Sequence, residues 1–321
     1  MAIKLAISYK LYFFFNRIQP WYLKEGHIRC RVFVLAQKFY KWFDLFLMKE
    51  LSIYYRSNPV SIRNKRKQKL IASLTSYPAR IDKIWIAIES IFHQTVKPDK
   101  IILWLADSQF PNKMNDLPSN LTELCSRGLE IRFCKDYKSH KKYYYAMKEF
   151  PKDIVILFDD DIIYPSDTIR KLLKYHRKYP DSVIGSSTFM PSPKISSMPS
   201  QWIADERTKA MTPMTTNQVF SGAGSLWPPN SLDKRVFDAE TFMLIAPYAD
   251  DLWLYIMMLL NGTKACRSKR YVTFPHEIIG TQEHSLFQIN GVIGGNQNNK
   301  QWSGLLRVYG AELKAKYPDM F

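Results

Sequence analysis

Three consecutive carboxylates, Asp159, Asp160 and Asp161, stand directly behind an uninterrupted apolar run from Ile154 to Phe158. Adjacent carboxylates repel one another unless a cation lies among them. Oxygen ligands select a hard divalent ion, and Mg²⁺ or Mn²⁺ held by one or two carboxylates ordinarily completes its shell with substrate phosphates. Asp159 and Asp161 are two apart, so on an extended backbone both point the same way. They are therefore the expected metal ligands. The plainer alternative is a solvated acidic turn, but such a turn seldom follows so apolar a strand without Gly or Asn. A second acidic pair, Asp250-Asp251, opens a helical stretch in A-D-D-L-W. Either aspartate can cap that helix, which explains one carboxylate and not two. His284, in T-Q-E-H-S-L, is a further candidate metal ligand, although a lone histidine is more often structural.

The apolar run is short and rich in β-branched residues, so it reads as a strand buried on both faces. The carboxylates then sit at the C-terminal end of a central strand, where open α/β sheets hold their ligands. The preceding chain alternates strand and helix. Strands are expected at Leu70 to Thr75, Lys100 to Leu105, Leu129 to Cys134 and Ile154 to Phe158. Helices are expected at Ile81 to Gln94, Leu121 to Arg127 and His140 to Phe150. Short connections between them predict a parallel, Rossmann-like α/β half. No G-x-G-x-x-G follows the first strand, which argues against a dinucleotide site. Pro165 stops pairing, and Ser166 can cap a helix reaching about Lys178. Beyond it the pattern predicts a strand from Ser182 to Phe189 and an irregular stretch from Met190 to Met214. A further strand from Gln218 to Trp227 carries Gly222 and Gly224, which signal either close approach of a ligand to the backbone or a bulge. Helices from Leu252 to Leu260 and near Gln301 to Tyr309 follow.

The 321 residues, 46% of them apolar, suit one large domain with an appendage. Four scattered cysteines fit a reducing cytoplasm and argue against structural zinc. The net charge of +17 is uneven: residues 1–69 hold 15 Lys or Arg against 3 acids, and so carry +12 of it. Fifteen aromatic residues lie between Tyr9 and Tyr55, and a helical period runs from about Ile28 to Tyr55. No apolar run reaches the roughly 18 residues that span a bilayer, and no signal peptide is visible. A basic, aromatic helical segment over 1–68 suits either docking at a membrane interface or a helical hairpin packed on the main domain. Nucleic acid is not an expected partner, because no recognition motif accompanies the charge. A polar break made by Asn58-Pro59 and by Arg63 to Gln68 is the expected linker.

Four stretches carry a family resemblance: the first-strand loop T-S-Y-P-A-R, the helix end S-I-F-H-Q-T, D-Y-K-S-H-K-K ahead of Asp159–Asp161, and A-D-D-L-W. From about Lys69 to Gly310 the chain resembles GT-A glycosyltransferases, and among them the bacterial family-2-type enzymes that build capsule or lipopolysaccharide glycans. The resemblance implies an α/β GT-A fold, with a nucleotide-sugar half at 69–165 and an acceptor half with C-terminal tail at 166–321. It implies metal-dependent transfer of a sugar, with Mn²⁺ or Mg²⁺, from a nucleotide-sugar donor (a UDP-sugar favoured) to a glycan or lipid-linked acceptor. Asp251 maps onto the base and Asp250 onto the acid before it. The loop Thr75 to Arg80 would line the nucleotide pocket, with Tyr77 or Arg80 on the nucleoside. One of Lys141 and Lys142 would contact the nucleotide or diphosphate, unless they are a solvated pair. Asp160, Gly222 and Gly224 belong with the nucleotide-binding residues. Where the family has Asp-Asp-Gly-Ser this chain reads L-W-L-A-D-S-Q-F-P, leaving Asp107 as the partner for base or ribose. The implied location is cytoplasmic, peripheral on the inner face of the membrane. A nucleotidyltransferase, or a non-catalytic membrane-bound protein that binds glycan or nucleotide, would carry many of the same features.

Overall fold

The computed structural model describes residues 45–46, 48–62, 66–191, 194–204, 208–268, 276–281 and 296–321. Most of segment 1–68 lies outside these, and so does His284. Helix α1 covers described residues 45–46 and 48–57. It turns Met48, Leu51 and Tyr55 into the core, where Tyr55 meets His93 with ring centroids 4.7 Å apart. Among the described residues no helix is long and apolar enough to cross a membrane.

The strands are β1 (Leu70–Thr75), β2 (Lys100–Ala106), β3 (Leu129–Cys134), β4 (Ile154–Phe158), β5 (Ile162–Ile163), β6 (Val183–Gly185), β7 (Thr188–Met190), β8 (Ile203–Ala204), β9 (Gln218–Val219), β10 (Ala223–Trp227), β11 (Ala265–Arg267) and β12 (His276–Glu277). The helices after α1 are α2 (Ile84–Phe92), α3 (Lys141–Glu149), α4 (Thr168–Lys178), α5 (Ala239–Ile245), α6 (Asp250–Asn261) and α7 (Gln297–Lys316). Seven strands form one sheet in the order β11-β6-β10-β4-β1-β2-β3. It is mostly parallel, with β10 reversed against both β4 and β6. The fold is thus the expected mixed α/β arrangement, a Rossmann-like sheet with flanking helices.

Strand β4 lies at the middle of this sheet and every residue of it is buried. Its alternation feeds two cores. Ile154, Ile156 and Phe158 join the layer of α1, α2 and α4; Val155 and Leu157 join the layer of α3, α6 and α7. Each such side chain contributes roughly 1.5–3 kcal/mol on burial, which fixes the strand from which the acids emerge. The C-terminal ends of β1, β2, β3 and β4 share one edge, and the N-termini of α3 and α6 arrive at the same edge.

The expected single strand from Ser182 to Phe189 is two. The chain bends at Ser186-Ser187 and leaves the main sheet for a small one, β8-β7-β9. The expected strand from Gln218 to Trp227 is likewise β9 and β10, separated by a turn through Ser221 and Gly222. Residues Leu121 to Arg127 make a short helical turn and then a 3-10 turn, rather than one helix. Helix α7 is longer than the expected Gln301 to Tyr309. Helix α5, capped by Asp238, and strands β11 and β12 had no forecast.

Candidate functional site

Past Phe158 the backbone leaves the extended form, and Asp160 and Asp161 occupy a turn before β5. Strand alternation therefore does not govern them, and Asp159 and Asp161 diverge. Asp159 Oδ1 accepts from Lys142 Nζ at 2.6 Å. Asp160 and Asp161 instead share the Arg80 guanidinium at 2.7 and 2.9 Å, and Asp160 also accepts from Ser76 Oγ at 2.5 Å. The Tyr164 hydroxyl pins the turn: it accepts from the Asp159 backbone N–H at 2.7 Å and donates to the Gly222 carbonyl at 2.5 Å.

The second acidic pair comes to the same place. Asp250 and Asp251 lie in the first turn of α6, where the helix dipole favours negative charge. Neither caps the helix, because both side chains are taken by partners outside it. Asp250 Oδ2 meets Lys142 Nζ at 3.0 Å and Ser221 Oγ at 3.1 Å, while Asp251 Oδ1 accepts the Ser221 backbone N–H at 2.8 Å. One ammonium, Lys142, thus holds the first acidic cluster to the second.

Gly222 makes this convergence possible. A Cβ there would lie 1.7 Å from Asp159 Oδ2, so the space beside this glycine belongs to the Asp159 carboxylate. Gly224 has a different reason: its φ of +87° sits in a β-bulge against β4. Gly222→Ala is expected to expel Asp159 from Lys142 and to destabilise the fold by about 1–3 kcal/mol, as overpacking does. Urea denaturation checks this; a parent-like midpoint would refute the close fit.

Five carboxylates thus converge on two cations, Arg80 and Lys142. Asp250 stays ionised: burial pushes its carboxyl up, but Lys142 and then His140 pull it down to about 2. Asp251 is pushed up to about 7, first by burial and then by Asp250. Burial likewise raises Asp160 despite Arg80. Lys142 is held above its usual range by Asp159 and Asp250, which outweigh its own burial. Buried His140 falls to about 4 and is neutral; its Nε2 lies 2.8 Å from the Ala246 carbonyl and its Nδ1 2.9 Å from the Tyr143 hydroxyl. The cluster therefore has a surplus of negative charge.

An all-oxygen donor set of this sign fits a hard divalent ion. Among the described residues no three carboxylate or imidazole groups form an assembled metal centre. Asp159 and Asp161 face different cations, Lys142 and Arg80, so a shared Mg²⁺ or Mn²⁺ would have to draw both carboxylates away from those partners.

The remaining expected residues divide. Thr75 Oγ1 donates to the Trp104 carbonyl at 2.7 Å, and the Tyr77 ring lies 5.5 Å from the Arg80 guanidinium. Asp107, at the end of β2, is half-exposed and pairs with Lys113. Lys141 and Lys142 are both buried, so they are not a solvated pair; Lys141 turns away to Asp136 at 2.6 Å. Thr281 lends its carbonyl to Arg80 Nε at 3.0 Å. Sequence reasoning passed over Tyr164 and Ser221, and included Ser76 only as part of its loop. A serine in a loop has no periodic signal, and Tyr164 reads as the tail of an apolar run. A cavity of about 530 Å³ lined by Ile62, Arg66, Lys69 and Lys100 lies at the opposite, N-terminal edge of β1 to β3 and shares none of these residues.

No family model matches the chain, and no curated protein matches it. Among solved structures, one described as mannosyltransferase PcManGT from Pyrobaculum calidifontis in complex with GDP-Man and Mn²⁺ aligns over 86% of this chain and 83% of its own, with 11% identity and a TM-score of 0.42. A likeness that low transfers neither residue roles nor activity from that protein to this one.

Proposed function

We propose that this chain transfers a sugar from a nucleoside-diphosphate sugar to an acceptor hydroxyl, with a GT-A-like site at the C-terminal edge of the sheet. The observation that carries the reading is the meeting of Asp159–Asp161 with Asp250–Asp251 around Lys142. A divalent ion held by Asp159 and Asp161 would offset charge on the leaving diphosphate. Arg80 and Lys142 hold the carboxylates in place and limit their mutual repulsion. An acceptor hydroxyl is a poor nucleophile, and Asp251 is the group to take its proton. Its raised pKa suits a base that works near neutral pH, while Asp250 remains charged beside it. A single base of this kind serves inversion at the anomeric carbon. In this reading the acceptor is a glycan or lipid-linked glycan for surface polysaccharide, met at the inner membrane face through the basic segment 1–68.

The test is calorimetry with UDP- and GDP-sugars, with and without Mn²⁺. Binding is expected to require Mn²⁺ and to weaken at least tenfold in Asp161→Ala, a variant that removes one proposed ligand. Unchanged affinity would sink the ligand assignment. Transfer of a nucleotide in place of a sugar would favour a nucleotidyltransferase instead.

A further inference from the structure

Four non-glycine residues hold left-handed φ among the described residues: Lys113, Lys138, Asn230 and Asn296. Asparagine tolerates that region, whereas a lysine there costs about 1–2 kcal/mol that glycine would not. At Lys138 the conformation is held locally, because its backbone N–H donates to Asp136 Oδ1 at 2.9 Å. Lys113 pairs one-to-one with Asp107. Lys138, at φ 53°, does not have a carboxylate to itself. It meets Asp136 at 2.9 Å, but Lys141 meets the same carboxylate at 2.6 Å. One negative charge faces two positive ones. The Lys141 side chain is buried and the Lys138 side chain is 38% exposed, so the surplus positive charge lies at the surface. Lys135, also exposed, adds a second ammonium 5.4 Å from the Tyr137 ring centroid.

This basic ledge adjoins the acidic site. His140 Nε2 lies 2.8 Å from the Ala246 carbonyl, and the His140 ring stacks on Phe242 at 4.2 Å. Those contacts fasten the turn carrying Lys138 to α5 and to Ala246 in the connection that leads from α5 to Asp250-Asp251 at the start of α6. Tyr248, in that connection, is 39% exposed. Asp136 holds the Lys138 ammonium above its usual range, and the Tyr248 phenol adds to it. Four residues further along the chain, Lys142 touches both Asp159 and Asp250.

We infer that the acceptor carries an anionic group, a phosphate or a carboxylate, which Lys138 binds while the reacting hydroxyl faces Asp251. The inference rests on the sugar-transfer reading of the acidic site. A surface ammonium with half a counter-ion attracts an anion, and one good pair at such a rim changes affinity by up to about fivefold.

The test uses the full chain in EDTA, so that no divalent ion draws the probes to Asp159 and Asp161. Glucose 1-phosphate, glucuronate and methyl glucoside are titrated by NMR into the parent protein, Lys138→Gly and Lys138→Arg. Glycine adopts this φ without strain, so Lys138→Gly is expected to melt at or slightly above the parent temperature. Its affinity for at least one anionic probe is expected to fall by about threefold to fivefold. Lys138→Arg is expected to keep that affinity, and methyl glucoside is expected to bind all three proteins alike. The more tightly bound anion identifies the source as phosphate or carboxylate. Equal anion affinities for parent and Lys138→Gly, or no anion binding by the parent, overturn the inference. Anion binding through Lys138 without turnover of any nucleotide sugar leaves the ledge standing and defeats the sugar-transfer reading; turnover with no Lys138 effect does the reverse.

Discussion

Asp251→Asn is expected to lower sugar transfer by about 10²-fold or more and, at the same time, to stabilise the protein above neutral pH. Asparagine keeps the size of the side chain and still accepts the Ser221 N–H. What it removes is a charge that burial and Asp250 disfavour. The Asp251 carboxyl has a folded pKa near 7, above its ordinary value of 3.8. Folding therefore favours its protonated form. The charge penalty is absent below pH 3.8, grows as pH rises, and is complete above about pH 7. Asp251 is only half-buried, so solvent screens part of the effect, and a gain on the order of 1–2 kcal/mol is expected at pH 8. In the parent, kcat/KM should rise through the neutral range as Asp251 ionises and then level off. Paired melts at pH 5 and pH 8, with transfer assays on both proteins, check this. A variant that is less stable at pH 8, or one that transfers sugar at a near-normal rate, rules out the role.

Lys142→Met should have the largest effect on stability. Its ammonium is buried between Asp159 at 2.6 Å and Asp250 at 3.0 Å. Methionine fills a similar volume but leaves two carboxylates without their shared partner. Removing one member of a buried ion pair ordinarily costs about 3–5 kcal/mol. For a chain of this size that corresponds to a fall in Tm of roughly 4–7 °C. The loss has a sign in pH. The Asp250 carboxyl lies at about 2 in the folded protein, below its ordinary 3.8, so it contributes stability above pH 3.8 that disappears as pH falls through about 2. The deficit of the variant should therefore be full at pH 5 to 8 and shrink in acid. Urea titrations across that range are the measurement. A deficit under about 1 kcal/mol at pH 7 would show that Lys142 is not the tie between the two acidic groups.

The sequence disclosed the elements better than the meeting points. Strand β4 and the acids behind it were legible because a short apolar run has a strong periodic signature and three carboxylates have no cheap structural use. The divergence of Asp159 from Asp161 was not legible, since it depends on where the backbone stops being extended. The same limit hid the two divided strands: at Ser186-Ser187 and at Ser221-Gly222 the residue pattern continues while the backbone bends. Lys142 was visible as a charge on the ligand side of the sheet. Its burial, and its hold on Asp250, follow from tertiary packing that no local window contains. Two glycines in a strand signal a ligand at the backbone or a bulge; at Gly222 the neighbour is instead the Asp159 side chain, and at Gly224 it is the bulge that holds.

Strand β10 has a consequence for the order in which the protein takes shape during translation. It is the antiparallel neighbour of β4, yet it leaves the ribosome long after the first four strands of the sheet. Until then the outer edge of β4 offers unpaired N–H and C=O groups to any passing chain. Ser221 and Gly222 emerge with β10, and the α6 aspartates later still, so the nascent chain carries Asp159 and Lys142 before it carries Asp250. For that interval its sheet edge is open and its acidic cluster incomplete. A chaperone that shields a sheet edge would matter most for this protein between the synthesis of β4 and that of β10.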